Sequence, residues 1–327
     1  MKRIIVAAIL LLAAQFLLPV LLLRPVTEGE ETTPDLLPLR RGQTMFDRTQ
    51  TVRLLMPDGE TQAVSLSEYL WGVVAAEVPA SFHMETLKAQ AVAARTYWAS
   101  CGAKHGDAQV CTDSGCCQAW TSKADARAGW GDRAQEYDRR VADAVRQTDG
   151  LCVLYEGMPI QALFFSSAPG STVDAVAVWG RAVPYLVSVE SPEGDEVPNY
   201  RSHLTLSAQE ARELLLARCP QADLSGAPEN WFSDFVREPS GTVRTVRVGG
   251  VTMKGGEVRG ALGLRSACFS VTAEGDRLTF DVTGYGHGVG MSQYGANAMA
   301  AEGKTFQEIL TWYYTGAEVG KYEPYAA

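Results

Sequence analysis

The sequence predicts a membrane-anchored α+β protein, in which a helical segment packs on a mixed or antiparallel sheet and a second lobe is inserted. An apolar run opens the chain, two helix-like segments lie between residues 67 and 98, and short strand-like runs separated by turn residues follow residue 150. Helical and extended patterns thus occupy different parts of the chain and do not alternate strictly, which is typical of the α+β class.

Residues 1–23 are predicted to form the membrane anchor. Gln15 is the only polar residue in the run 4–23. A helix with a rise of about 1.5 Å per residue crosses a hydrocarbon core of roughly 30 Å with a run of this length. No small-residue cleavage site follows it, which favours an uncleaved anchor over a signal peptide. Lys2 and Arg3 would stay in the cytoplasm, so the rest of the protein is expected outside the membrane.

Residues 24–50 are predicted to be an extended tether. They contain three prolines and scattered charges without a periodic apolar pattern, which is the composition of a linker with no core of its own. Arg24, Arg40 and Arg41 weaken the charge difference across the anchor. The tether would let residues 51–327, the predicted catalytic domain, reach a polymer near the membrane.

Composition excludes several classes of function. The net charge of −9 and the absence of clustered Lys or Arg argue against nucleic acid as a partner, because a phosphate backbone needs a positive face. A hydrophobic content of 46% is enough for a real core. The sequence has no Walker loop, dinucleotide fingerprint, His-Glu-x-x-His or Gly-x-Ser-x-Gly motif.

The first elements of the domain are predicted to be a hairpin and a pair of helices. Residues 51–64 alternate around Pro57-Asp58-Gly59, a turn signal between two extended runs. A helical run, 68–76, then ends where Pro79 disfavours the helical region for the preceding residue. A second helix, Met84 to Trp98, has apolar residues at helical spacing and is expected to be amphipathic and half buried.

Glu77 is the candidate general acid, because it lies at the end of the first helix between apolar neighbours. A carboxyl group removed from water has its pKa raised towards the range that general acids use. The alternative is that Glu77 is an ordinary solvated residue at a helix end. Glu85 is the rival for the acid role, although its place in the first turn of a helix is also explained by the helix dipole.

A short glycine-rich segment, 101–120, contains four cysteines and one histidine. Thiolates and imidazole in this number suit tetrahedral zinc, and the first choice of ligands is His105, Cys111, Cys116 and Cys117. Cys101 competes for one of these places. Four protein ligands would leave no open position, so the zinc would be structural and catalysis metal-independent. Disulfides or reduced thiols remain an alternative, and a zinc hydrolase is a further one.

Further along the chain, the pattern predicts a charged helix at 127–147 and a hairpin at 151–163 that leads into Phe164-Phe165-Ser166-Ser167. Residues 190–256 break this rhythm and are interpreted as an inserted or second lobe. Within the lobe we expect a helix at 207–218, capped by Ser207 with a glutamate three residues on. A strand is expected at 243–251.

The string Gly284 to Met291 contains four glycines in seven residues, which allows close approach of the backbone to a ligand or another segment. A helix is predicted to start near Ser292. His287, Ser292 and Gln293 therefore come at a junction between a loop and a helix, where they could line one pocket with Glu77. Histidine is suited to proton handling near neutral pH, although a structural role is the alternative.

Three strings carry a family resemblance: WGVVAAEVP at 71–79, followed by ETLKAQAVAARTY at 85–97; FFSSAPGSTVDAVAVWG at 164–180; and GYGHGVGMSQYGANAMA at 284–300. They resemble, in order, the blocks of the stage II sporulation protein D family, whose domain is also described as the amidase-enhancer domain. The resemblance covers nearly all of the chain after about residue 50.

The resemblance implies a lytic transglycosylase that cleaves the MurNAc–GlcNAc bond of peptide-stripped peptidoglycan strands and forms 1,6-anhydro-MurNAc ends. Glu77 would be its catalytic residue. Some family members carry a His and Cys zinc cluster after the second helix. The implied substrate-binding residues are Lys88, Gln90, Arg95, Ser166, Ser167, Thr172, His287, Ser292, Gln293 and Tyr294.

The resemblance also implies a place and a partner. We expect a single-pass protein of the mother-cell membrane whose domain faces the intermembrane space, degrading septal wall during engulfment beside a membrane-bound amidase. The alternative function, from the family's other name, is a non-catalytic wall-binding protein that enhances a partner amidase.

Overall fold

The computed structural model describes residues 45–322. The predicted anchor and almost all of the predicted tether lie outside this range. Among residues 45–322, no helix is both long and apolar enough to span a bilayer.

The first elements pair and pack as the sequence pattern predicts. A short helix precedes a hairpin, and two longer helices follow: α1 (Phe46–Thr49), β1 (Thr51–Leu55), β2 (Thr61–Ser65), α2 (Leu66–Glu77) and α3 (Met84–Ser100). The two strands are antiparallel, which confirms the predicted hairpin. Val78 adopts an extended conformation before Pro79 and ends α2, so Glu77 is the last residue of this helix.

Helix α3 differs from its expected half-buried state. Every residue from Thr86 to Thr96 is buried, because the helix lies between two hydrophobic clusters. Leu87 and Ala91 belong to one cluster, together with α2, whereas Ala89 and Val92 belong to the other. The polar residues of α3 are therefore inside the protein, where buried polar groups need partners.

The chain between α3 and the second family block forms the remaining elements of the N-terminal half. In order these are β3 (Val110–Cys111), α4 (Lys123–Trp130), α5 (Ala134–Gln147), β4 (Leu151–Tyr155), β5 (Met158–Pro159), β6 (Phe164–Phe165) and α6 (Ala175–Trp179). The helix predicted at 127–147 is thus two helices, separated by a short 3₁₀ turn at Gly131, whose φ is +54°. The hairpin predicted at 151–163 is confirmed by the antiparallel pairing of β4 with β5.

The C-terminal half contains the elements β7 (Arg201–Ser207), α7 (Ala208–Arg218), β8 (Phe232–Arg237), β9 (Val243–Val248), β10 (Val251–Lys254), α8 (Gly255–Leu262), β11 (Phe269–Glu274), β12 (Arg277–Thr283), β13 (Met291–Ser292), α9 (Gln293–Ala301), α10 (Phe306–Tyr313) and β14 (Glu318–Lys321). Helix α7 begins with the predicted capping box of Ser207 and Glu210. The strand expected at 243–251 is instead a hairpin, because Gly249 and Gly250 form a turn between β9 and β10.

The described strands form five small sheets, with the orders β2-β1-β3, β10-β9-β8, β11-β12-β7, β13-β6 and β14-β4-β5. Two pairings are parallel, β1 with β3 and β6 with β13, and the other pairings are antiparallel. The mixed α+β architecture is therefore confirmed.

A separate hydrophobic cluster marks the second lobe. It includes Ala211 near one end of the sequence range and Val282 at the other, and it is built from the two sheets that contain β7 to β12. This cluster is formed by elements within residues 201–283, so it starts later and ends later than the predicted lobe at 190–256. Its last strand, β12, leads directly into the glycine-rich string.

Candidate functional site

Glu77 lies at a junction between three distant parts of the chain. Its backbone ends α2, and its side chain is half buried. The Ala119 N–H donates to Oε1 at 2.7 Å, and the Gln293 side-chain amide lies 3.5 Å from Oε2. One donor comes from the loop after the cysteine cluster and the other from the first turn of α9. Both carboxylate oxygens are therefore oriented by groups far away in sequence.

The pKa of Glu77 is raised above the usual value of a glutamate. Burial is the main cause, because it disfavours the charged form, while the hydrogen bonds from Ala119 and Gln293 act in the opposite direction. The balance favours a carboxyl group that is held in place and still keeps its proton at higher pH than an exposed one. These are the properties of a general acid.

The serine block and the glycine-rich string reach Glu77 together. Strands β6 and β13 pair in parallel, so Phe165 lies opposite Ser292. The backbone N–H of Tyr294 donates to the Ser166 carbonyl at 3.0 Å. Ser292 caps α9 by accepting a hydrogen bond from the Gly295 N–H at 3.2 Å. The cap fixes the first turn of α9, and with it Gln293 beside Glu77.

Gly290 shows why the glycine-rich string requires glycine. Gly290 has a φ of +82°, and a Cβ at this position would lie 2.1 Å from the Leu163 carbonyl oxygen. Only glycine combines this left-handed conformation with such a close approach. The close packing of the string on the segment before β6 therefore depends on residue type.

Tyr294 lies beside the chain that joins α2 to α3. Its ring contacts the Phe82 ring edge to face, with centroids 5.0 Å apart. The His83 N–H donates to Oδ1 of Asn297 at 2.9 Å. Helix α9 is thereby attached to the segment that follows Glu77, so the third family string and the first form one site.

His287 is a neutral structural residue. Its Nε2 donates to the Phe164 carbonyl at 3.1 Å, and its Nδ1 accepts from the Val289 N–H at 3.1 Å. Burial, helped by the positive charge of Arg259, lowers the pKa of His287 to about 4. Both ring nitrogens are thus used to shape the loop, and the contact of His287 with substrate stays a prediction.

Ser167 and Thr172 are also turned to internal bonding. Ser167 is buried, and its backbone exchanges hydrogen bonds with Tyr285. Thr172 is buried too, and its Oγ1 accepts from the Val189 N–H at 2.9 Å. The half-buried Ser166 contacts the start of α9, because its carbonyl accepts from the Tyr294 N–H at 3.0 Å and from the Ser292 hydroxyl at 3.3 Å. The Ser167 backbone and the Thr172 side chain are therefore used inside the fold, and the contact of these two residues with a ligand stays a prediction.

The polar residues of α3 have partners inside the fold. Lys88 donates to Glu85 Oε1 at 2.6 Å, and Glu85 Oε2 accepts from the Phe306 N–H at 2.8 Å. Glu85 thus holds the start of α10, which explains it without a catalytic role. Arg95 is fully buried and binds both carboxylate oxygens of Asp47. Lys88 and Arg95 brace the fold, and the structure does not bring them to Glu77.

Gln90 is the residue of α3 that does lie beside the site. It is fully buried, and its Oε1 is 3.5 Å from Nε2 of Gln293. Its own Nε2 has no hydrogen-bond partner among residues 45–322. Gln90 therefore stands behind Gln293 and keeps a free donor in the interior.

Glu193 is a functional candidate that the sequence did not reveal. It is 4% exposed, and its Oε1 accepts hydrogen bonds from the Ser292 hydroxyl and from the Ala168 N–H, the latter at 2.6 Å. Its Oε2 has no partner in the described part of the chain. Glu193 lies outside the three family strings, so no local pattern marks it. It ties the serine block to the cap of α9.

The predicted metal ligands come together after α3. The side-chain donor atoms of His105, Cys111, Cys116 and Cys117 all lie within 4.8 Å of one another. Nε2 of His105 is 3.4 Å from Sγ of Cys117 and 3.7 Å from Sγ of Cys116. Cys101 is not part of this group, and its thiol faces backbone carbonyls.

The cysteine cluster is close in sequence to the donor that holds Glu77. Ala119 follows Cys117 by two residues, and the intervening Gln118 is buried and accepts a hydrogen bond from the Tyr69 hydroxyl at 3.0 Å. Tyr69 belongs to α2, the helix that ends in Glu77. The order of this short segment therefore affects the carboxyl group directly.

Comparison with known proteins identifies the family. A model described as "SpoIID: Stage II sporulation protein" matches residues 59–155. Stage II sporulation protein D of Bacillus subtilis (strain 168) is 34% identical over 337 residues, which cover 98% of this chain and 96% of the relative. The chain belongs to the stage II sporulation protein D family. Stage II sporulation protein D of Bacillus amyloliquefaciens is 37% identical over 263 residues, covering 79% of this chain and 75% of the relative.

Another protein similar to this chain has a different name. Amidase enhancer of Bacillus subtilis (strain 168) is 29% identical over 305 residues, which are 77% of this chain and 40% of that protein. The family recognised from the three strings is therefore confirmed, and the strings meet around Glu77. A role in sporulation follows from the family.

Proposed function

We propose that this protein is a peptidoglycan lytic transglycosylase with Glu77 as its single catalytic carboxyl group. The observation that carries the proposal is the half-buried Glu77 carboxyl, whose pKa is raised by burial and whose two oxygens are held by Ala119 and Gln293. A proton donor of this kind is the central requirement for breaking a glycosidic bond.

The reaction needs one group that first gives and then takes a proton. Glu77 protonates the bridging oxygen as the bond from C1 of MurNAc to O4 of GlcNAc breaks. The C6 hydroxyl of the same MurNAc then attacks C1, and the Glu77 carboxylate accepts the hydroxyl proton. The products are a GlcNAc 4-hydroxyl end and a 1,6-anhydro-MurNAc end. No water is consumed, and Glu77 is protonated again.

The surroundings of Glu77 favour this mechanism over hydrolysis. A glycoside hydrolase uses a second carboxylate, about 5–5.5 Å or 6.5–9.5 Å from the acid according to stereochemistry. The acidic residue that contacts the same turn of α9 is Glu193, which is 4% exposed and already accepts two hydrogen bonds. It is not available to activate a water molecule or to attack a sugar.

The experiment compares the products of wild type and Glu77→Gln on peptide-stripped glycan strands. Mass spectrometry should find 1,6-anhydro-MurNAc ends with the wild-type protein, and the rate should fall by about 10²–10⁴-fold in the variant, the usual contribution of a general acid. Glu68→Gln, on the exposed surface of the same helix, is the matched control. Reducing ends in place of anhydro ends would contradict the proposal.

The biological setting is part of the proposal. The apolar run 4–23 would hold the domain at the outer face of the mother-cell membrane, where it would degrade septal wall during engulfment. Strands already stripped of stem peptides are the expected substrate, which makes a membrane-bound amidase the natural partner. Localisation of a fluorescent fusion to the engulfing membrane, and its loss on deletion of residues 1–23, tests the anchor.

A second candidate function is stimulation of a partner amidase without catalysis, which the name of the relative Amidase enhancer favours. The two functions separate cleanly in the Glu77→Gln variant. Under this second function, the variant would still stimulate the amidase and the wild-type protein would release no anhydro ends. Adding purified amidase to intact wall, with and without each protein, measures both outcomes in one assay.

We also propose that His105, Cys111, Cys116 and Cys117 hold a structural zinc ion. Three thiol groups and one imidazole are a common zinc ligand set. The donor atoms of His105, Cys116 and Cys117 lie 3.4–4.0 Å apart, which matches a tetrahedral ion with bonds of about 2.0–2.3 Å, and all four donor atoms lie within 4.8 Å of one another. Four protein ligands leave no open position for water. The ion would therefore cross-link the segment before Ala119 and would not enter the reaction.

Metal analysis tests the zinc site. Protein purified under reducing conditions should contain one zinc per chain, and chelation should lower its melting temperature and its activity together. Cys116→Ser should lose zinc, whereas Cys101→Ser should keep it. A metal-free protein whose mass shows hydrogen lost to disulfides among these four residues would refute the site.

A further inference from the structure

A cavity of about 570 Å³ lies between α6 and the second lobe. We call it the lobe cavity. Its walls include Val178 and Trp179 from α6, residues of β9 and α8, and His287 from the glycine-rich string. Its charged lining residues are Arg218, Glu238, Arg244, Lys254, Glu257 and Arg259.

The lobe cavity is positive in a protein that is negative overall. Four cationic and two acidic side chains line it, whereas the whole chain has a net charge of −9. Arg218 lies 3.5 Å from Glu257, and Arg244 lies 3.7 Å from Glu238. Lys254 and Arg259 have no carboxylate within ion-pair distance among residues 45–322. The cavity thus keeps two cations without a carboxylate partner, although Nζ of Lys254 donates to the Val178 carbonyl at 3.0 Å.

Of these two cations, Arg259 is the better candidate for binding an anion. It is half buried, its Nε donates to the Arg265 carbonyl at 3.1 Å, and it faces a neutral His287. Burial lowers the pKa of the Arg259 guanidinium, which means that the charged form is poorly solvated where it stands. A guanidinium in this situation is stabilised by an anion with planar geometry, and a carboxylate matches its fork.

An apolar surface adjoins the cations. Trp179 is 48% exposed, and Val176 of the same short helix is 40% exposed. Trp179 also lines a second cavity, together with Tyr97 and Lys104. An exposed indole at the edge of a polar cavity provides a flat face on which the C–H face of a sugar ring can pack. The combination suits a carbohydrate that carries a carboxylate.

One short segment of the chain contributes residues both to the lobe cavity and to the surroundings of Glu77. His287 lines the cavity, and Gln293 in the same string contacts Glu77. A polymer that reaches the catalytic carboxyl could extend over this loop to the lobe. Only two cations lack a carboxylate partner, and Glu238 and Glu257 also line the cavity. A ligand with few negative charges therefore fits better than a densely charged polyphosphate.

We propose that the lobe cavity binds a carboxylate-bearing sugar of the glycan strand, at a position away from the bond that is cleaved, with Arg259 holding the carboxylate and Trp179 packing on the ring. This inference rests on the proposed function, since the ligand is the same wall glycan. It assigns to the second lobe a role in holding long strands.

Binding to the inactive Glu77→Gln protein tests this proposal without turnover. Calorimetry with peptide-free glycan oligosaccharides should show affinity at least tenfold weaker when Arg259→Gln is added, and no change with Arg133→Gln, which removes an exposed arginine outside the cavity. Oligosaccharides whose carboxylates are converted to amides should bind the Glu77→Gln protein and the Glu77→Gln, Arg259→Gln protein equally weakly. Trp179→Ala, at an exposed position, gives the same loss if Arg259→Gln fails to fold.

Several outcomes would overturn the inference. Equal affinity for the acid and amide forms would remove the role of the carboxylate, and unchanged affinity in both variants would remove the site. Tighter binding of a phosphate-rich wall polymer than of glycan would assign the cavity to that polymer instead. If these binding results hold while the wild-type protein releases no anhydro ends, the proposed catalysis fails and the glycan site stands.

Discussion

Two glutamates contact neighbouring residues at the start of α9, and their surroundings differ. Glu77 is half buried and lies 3.5 Å from the Gln293 amide, with one backbone donor, Ala119. Glu193 is 4% exposed and is held by the Ser292 hydroxyl and the Ala168 N–H. One carboxyl group is partly open, while the other is enclosed.

The difference shows how position determines the use of the same side chain. Partial burial raises the pKa of Glu77 and leaves it open to solvent, which suits proton transfer. The enclosed Glu193 instead joins the serine block to the helix cap, so its value lies in holding segments together. The turn of α9 that contacts the proposed catalytic carboxyl of Glu77 is thus held by the second carboxyl group, that of Glu193.

The largest stability effect should come from removing the enclosed carboxyl. Glu193→Ala leaves the Ala168 N–H without its acceptor and the Ser292 hydroxyl with only the Ser166 carbonyl at 3.3 Å, which should lower the free energy of unfolding by about 2–4 kcal/mol. Glu193→Gln keeps an acceptor oxygen and should lose much less. Denaturant unfolding measures both, and a loss of cleavage in Glu193→Gln comparable to that of Glu77→Gln would end the distinction between the two residues.

The pH dependence should report Glu77 alone. Because Glu77 must begin the reaction protonated, the rate should be constant at low pH and fall about tenfold per pH unit above its raised pKa. The midpoint should lie above about 4.3, the value of an exposed glutamate. A profile that rises with pH through this range would contradict the acid role, and Glu193→Gln should leave the midpoint in place.

The raised pKa of Glu77 should also make the folding stability of the protein depend on pH. The folded protein holds the Glu77 proton more tightly than the unfolded chain does, so this contribution to stability is complete below the unfolded pKa and is lost as pH rises through the folded pKa. Glu77→Gln should therefore show a smaller loss of stability between acid and neutral pH than wild type. Thermal unfolding across this range measures the difference, and identical pH dependence would exclude the shift.

The smallest effect on stability should come from removing the side chain of Ser292, which caps α9 between the two glutamates. Ser292→Ala removes the side chain that accepts from the Gly295 N–H, which should lower the free energy of unfolding by about 1 kcal/mol. It also removes one donor from Glu193. Activity should fall only modestly, because Gln293 remains in α9, and Ser292→Thr, which keeps a capping hydroxyl, should restore most of the stability.

The local elements were predictable where neighbouring residues decide them. Pro79 ends α2 because it constrains the residue before it, and the capping box at Ser207 forms between residues three positions apart. The grouping of His105, Cys111, Cys116 and Cys117 was also predictable, since four donors within a short glycine-rich segment can meet by local folding. Family membership followed from three strings that are themselves local.

The burial of polar residues was not predictable from local pattern. Arg95 has the spacing of an exposed residue on an amphipathic helix, yet it is enclosed because α3 lies between two hydrophobic clusters and Asp47 provides the opposite charge. His287 looked suited to proton transfer, but both of its nitrogens bond to backbone. The partner in each case is set by packing.

The sequence by itself determined the family, the end of α2 at Glu77 and the cluster of His and Cys side chains after α3, because each depends on residue types within a short stretch. The tertiary structure alone decided that Glu77 is held by Ala119 and Gln293, which are 42 and 216 residues away, and that Glu193 supports the same turn. A pKa shift arises from desolvation and from distant donors, and neither exists until the chain has folded.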